Sequence, residues 1–138
     1  MLVKYPTNQI IPLPDLWLFH DVAEAREFLA GNNENPELVD DSAGQCICVE
    51  GRDETESYCV IVLACDFTQH AQTCGVIAHE AYHATCFTFE QIGETEAGEE
   101  TTAYVLQAIT ASLVRAHAEY LRNLMASQEG AANDTGGV

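Results

Sequence analysis

The feature that most constrains the fold is residues 58–65, Tyr-Cys-Val-Ile-Val-Leu-Ala-Cys, eight nearly unbroken apolar positions. A strand with one wet face alternates apolar and polar side chains, whereas a continuous run of this length reads as a strand covered on both faces. Such a strand needs neighbours at its edges and layers above and below. Residues 45–50 (QCICVE), across the polar segment 51–57, supply a hairpin partner. Leu16 to Phe19 supply a further short apolar strand. Helical spacing accounts for most of the rest. Asp21 with Glu24 three residues on forms a capping box before Val22, Ala25, Phe28 and Leu29, and Gly31 offers a stop. Residues 32–44 are polar and turn-rich, which makes a loop. Residues 68–91 and 99–125 read as two long helices broken at Gly93 and Gly98, the second with Ala103, Leu106, Ile109, Leu113, Ala116, Tyr120 and Leu124 on one stripe. The order β-α-β-β-α-α predicts an α+β fold, with about three strands packed on helices, in a single domain over residues 1–125. Residues 126–138 are small and polar and predict a disordered tail.

Charge narrows function. Five Lys+Arg stand against 22 Asp+Glu, a formal net charge of −17. Phosphate backbones and anionic membranes require the opposite sign, so neither nucleic acid nor a membrane surface is an expected partner. Neutral or cationic partners and divalent metals are favoured. No run approaches the roughly 20 apolar residues of a membrane span, and the N-terminal residues lack the apolar core of a secretory signal. Cytoplasmic location is the expectation. The six cysteines sit within apolar runs and read mostly as small buried hydrophobes. Cys46 and Cys48 share one face of a strand. A thiolate metal site there would need further thiols, to which Cys59 could contribute, and core packing is the better reading.

The chemistry concentrates in His79-Glu80-Ala81-Tyr82-His83. Residues four apart on a helix share a face, so both imidazoles can reach one ion, and Glu80 can act as base toward a bound water. A catalytic zinc needs a third protein ligand. A histidine ten residues beyond His79 would supply it in one class, but that position is Phe89. The next helix opens with Glu99 and Glu100, two adjacent carboxylates. A helical wheel puts Glu99 nearer the centre of the apolar stripe and Glu100 about 100° further round.

The stretch from His79 through the aromatic Phe87 and Phe89, the Ile92-Gly93 turn, and Glu100-x-x-Ala103-Tyr104 resembles small metallopeptidase-like proteins of phage and prophage genomes. These are zincins whose third ligand is glutamate. The resemblance covers about residues 58–112. It implies a minimal zincin-like fold, a Zn2+ cofactor held by His79, His83 and Glu100 (Glu99 the alternative), Glu80 as general base, a peptide or protein substrate, and a bacterial host cytoplasm. Tyr104 could orient a ligand or pack as a core aromatic. His20, His70, His117, Tyr82 and Tyr120 are candidate donors to an oxyanion. Two other readings stay open: an inactive zincin-like scaffold, and a metal-free acidic interaction protein. If the acidic loops frame the cleft, basic peptides are the preferred substrates.

Overall fold

The computed structural model describes residues 1–5, 11–51, 56–65 and 68–134. Most of the expected 51–57 turn lies outside these residues. The chain is α+β, as its pattern predicts. In order it forms β1 (Leu2–Val3), β2 (Asp15–Phe19), α1 (Val22–Gly31), a short 3-10 turn (Pro36–Leu38), β3 (Gly44–Val49), β4 (Tyr58–Leu63), α2 (His70–Gln91) and α3 (Glu99–Asp134). The sheet has four strands in the order β1-β2-β4-β3. β4 runs parallel to β2 and antiparallel to β3, while β1 is antiparallel to β2.

β4 is the covered strand its composition demands: Cys59 through Leu63 are all buried. Its odd positions, Cys59, Ile61 and Leu63, pack with Leu16 and Leu18 beneath α2 and α3. Its even positions, Val60 and Val62, pack with Ile47, Val49, Ala25 and Leu29 beneath α1. The two-residue period of the strands thus builds two cores, one on each face of a single sheet. Fully burying a Val, Leu or Ile side chain contributes roughly 1.5–3 kcal/mol, so this one strand anchors both.

The helix ends follow local chemistry. The Asp21 carboxylate accepts the Glu24 N–H at 3.0 Å, the first half of the expected capping box. At the end of α2, Gly93 takes φ 71°, where a Cβ is disfavoured. The Gly93 N–H reaches the Glu90 carbonyl at 3.1 Å and the Glu94 N–H the Phe89 carbonyl at 2.9 Å. That double bond is a Schellman stop, and it turns the chain toward α3.

Two expectations change. The N-terminal residues contribute a fourth strand, β1, too short to register as a pattern but tied by Leu18 N–H to Met1 O at 2.8 Å. The second long helix does not end at residue 125 but continues to Asp134. Ala126, Gln128, Glu129, Ala131 and Ala132 are adequate helix formers, so propensity extends α3 past its last packed turn. Only residues 135–138 of the expected tail fall outside the described residues. No helix among the described residues is long and apolar enough to cross a membrane.

Candidate metal and catalytic cleft

α2 lies along β3, the edge strand, on the sheet face opposite α1. Ile77, Ala81 and Ala84 face the core and fix the helix rotation. That rotation splits the five-residue motif. His79 and His83 project outward into a cleft, while Glu80 points inward against β3. The His79 and His83 Nε2 atoms stand 3.1 Å apart. Two imidazole nitrogens at about 2.0–2.1 Å from a tetrahedral ion stand about 3.3–3.4 Å apart. The pair therefore fits two corners of a zinc site with a movement of a few tenths of an ångström.

Glu80 is 5% exposed. Burial raises its pKa above the ordinary carboxylate value, and the charges of His79 and His83 oppose that rise. Room for its side chain comes from Gly44. A Cβ on Gly44 would stand 2.2 Å from Val76 Cγ1 and 3.0 Å from Glu80 Oε1. The missing side chain lets the helix approach the strand closely enough to seat the carboxyl group.

The cleft beside this motif has a volume of about 430 Å³, and Cys46, Cys48 and Cys86 line it together with His79, Glu80 and His83. A second depression of about 430 Å³ shares Gly44, His79 and Glu80 and extends toward Gln72 and Val76. All six cysteines are free thiols. Reading them as buried hydrophobes is too simple: only Cys59 is buried, and Cys48 and Cys74 are exposed. Cys48 Sγ lies 3.6 Å from Cys46 Sγ and 3.5 Å from Cys59 Sγ. Hydrogen bonds from Cys46 and then Cys59, with a smaller effect of His83, hold the Cys48 pKa down to about 4, and burial opposes them. Cys46 is pushed up, chiefly by its contact with Cys48. These three sulfurs lie within 4.8 Å of one another and form the one donor trio of that compactness among the described residues. They are close enough to hold a metal ion.

No family model, curated protein or solved structure matches this chain.

The carboxylates expected to complete the zinc set are not among the residues that line the cleft. Glu99 and Glu100 are exposed in the first turn of α3 and do not line the cleft. The buried stripe of α3 is Val105, Ile109, Leu113 and Ala116. Counting 100° per residue from Ile109, Glu99 lies about 80° round and Glu100 about 180°. Tyr104 shares the outer face with Glu100 and is 67% exposed, so it is not a core aromatic. Among the described residues no carboxylate joins His79 and His83 in a compact group of three.

The candidate oxyanion donors are scattered. His20 Nε2 and His117 Nδ1 are 2.9 Å apart and not among the cleft-lining residues, with the His20 ring stacked on Tyr120 at 3.6 Å. His70 is exposed at the start of α2. Tyr82, within the motif itself, is exposed beside His83 with ring centroids 6.4 Å apart and is not part of the cleft lining. Gly44 and Glu90 also belong to the cleft lining. Sequence reasoning passes over them because neither carries a motif. The only signal for Gly44 is a glycine placed where a loop becomes an edge strand.

Proposed function

We propose that the cleft between α2 and β3 is a zinc-dependent peptide-hydrolysis site. The observation that carries this reading is the His79–His83 nitrogen pair at metal-binding separation beside the buried Glu80. Zinc bound there would supply Lewis acidity, making water a nucleophile near neutral pH and polarising a carbonyl. Glu80 accepts the proton of the attacking water and delivers it to the leaving amine. Burial moves its pKa upward, the direction that helps a carboxylate both take a proton and give it back. β3 is an edge strand among the described residues, and its outer backbone edge can hold an extended peptide as an added strand. Glu90 on the cleft rim and the net charge of −17 favour basic peptides, with binding that weakens as salt rises. The resemblance adds Glu100, or Glu99, as third ligand. Replacing each by Gln identifies it, since only loss of the true ligand weakens zinc binding.

A second reading is a metal-binding scaffold without turnover, and the position of Glu100 on the outer face of α3 favours it. Glu80→Gln separates the two. With a quenched-fluorescent peptide library, the zinc-loaded wild type is expected to cleave, and Glu80→Gln to lose about 100- to 10,000-fold in rate while keeping its zinc. Equal rates would remove Glu80 from the chemistry, and no cleavage by the zinc-loaded wild type would leave the scaffold.

A further inference from the structure

We propose that Cys46, Cys48 and Cys59 form a thiolate site for a zinc-class cation on the sheet wall of the cleft, separate from the imidazole pair on α2. The site follows from strand geometry. Cys46 and Cys48 are two residues apart on β3 and so point to the same face. The register sets Cys48 directly opposite Cys59 on β4. That face carries the core beneath α2, so the three sulfurs meet under the helix rather than under α1.

The spacing suits a metal. Thiolates at about 2.3 Å from a tetrahedral zinc stand about 3.8 Å apart. The two Sγ separations at Cys48 are 3.6 and 3.5 Å. Closure around an ion therefore needs a few tenths of an ångström at Cys48 and at most about one between Cys46 and Cys59, which lie within 4.8 Å, with no change of strand pairing. Three sulfur donors select a soft cation over magnesium or calcium. Cys59 is fully buried and Cys48 is exposed, so the trio runs from the core to the cleft. An ion can enter from the Cys48 side, and its fourth position faces the cleft. Binding releases the protons of whichever sulfurs are still thiols to solvent. The ion would tie the edge strand β3 to β4 next to Gly44, holding the strand against which Glu80 is seated.

The inference does not depend on the hydrolase reading, and cobalt spectroscopy separates them. Full-length protein, reduced and stripped with chelator, is titrated with Co2+ and then with zinc. The expected result is a near-ultraviolet sulfur-to-cobalt charge-transfer band that zinc abolishes. The band falls or vanishes in Cys46→Ser and Cys48→Ser and persists in Cys74→Ser, an exposed thiol outside the trio. It also persists in the His79→Ala/His83→Ala double variant, whatever that variant does to hydrolysis. Zinc is expected to shield Cys46 and Cys48 from a thiol reagent, Cys59 being buried already. Because Cys59→Ser empties a fully buried position, the exposed Cys48 variant decides the matter. No charge-transfer band, a band unchanged in both serine variants, or a band lost from the folded double-histidine variant would overturn the site. So would recovery of the trio as a disulfide instead of a metal complex.

Discussion

The molecule holds two histidine pairs at nearly the same separation, 3.1 Å for His79 and His83 and 2.9 Å for His20 and His117. Their origins differ. The first comes from i,i+4 spacing on one helix and opens into a cleft with both Nε2 atoms. The second joins residues 97 apart in sequence, Nε2 to Nδ1, under the stacked ring of Tyr120. There one ring donates and the other accepts. Burial first, then the nearby His117 and the N-terminal amine, hold the His20 pKa down to about 4, and burial lowers that of His117. Close nitrogens alone do not make a metal site. Both pairs can share a hydrogen bond between their ring nitrogens, and what distinguishes the α2 pair is access from the cleft and a neighbouring base.

The sharpest way to break this contrast is to remove each pair. His79→Ala/His83→Ala is expected to weaken zinc binding at the cleft by more than about 100-fold, beyond the loss seen when only an outer partner of a ligand is removed. His20→Ala/His117→Ala should leave zinc affinity unchanged and lower the unfolding midpoint instead. Calorimetric zinc titrations in the Cys46→Ser/Cys48→Ser background isolate the imidazole site. Equal effects of the two double variants would erase the distinction.

Gly44→Ala tests the base beside the open pair. The added methyl meets Val76 at 2.2 Å, and Val is stiff at χ1, so helix and strand must part. A loss of about 1–3 kcal/mol in urea unfolding is expected, with hydrolysis impaired more than zinc binding.

The smallest expected effect concerns pH. A depressed histidine pKa favours the neutral folded form. The His20 contribution is therefore complete above the unfolded value near 6.5 and is lost as pH falls from there toward about 4. Allowing for partial exposure, roughly 1–2 kcal/mol should disappear over that interval. Urea midpoints of wild type and His20→Phe across pH 7.5 to 4 measure it, and the variant should have the shallower acid slope.

Local signals made much of this legible from sequence. The unbroken apolar run of β4, the Asp21 cap, the Gly93 stop and the i,i+4 histidines each depend on residues close in the chain. What stayed hidden depends on pairing between distant residues. Two residues of β1 carry no period. The sulfur trio needs the register that sets Cys48 against Cys59, since a one-residue slip would send Cys46 and Cys48 to the other face. The face of Glu100 depends on how α3 is rotated. Of the expected stripe, Leu106 packs against the core and Ile109, Leu113 and Ala116 are buried, but Ala103 is exposed and Val105 takes the buried place in the first turns.

The central claim is that the open pair on α2 is a zinc-binding centre. X-ray absorption at the zinc edge, on zinc-loaded protein carrying Cys46→Ser and Cys48→Ser, tests it most directly. Scattering from two imidazoles with oxygen donors completing the shell is expected, and it is lost when His79 and His83 are replaced. A spectrum without imidazole scattering, or one unchanged by those replacements, would contradict it.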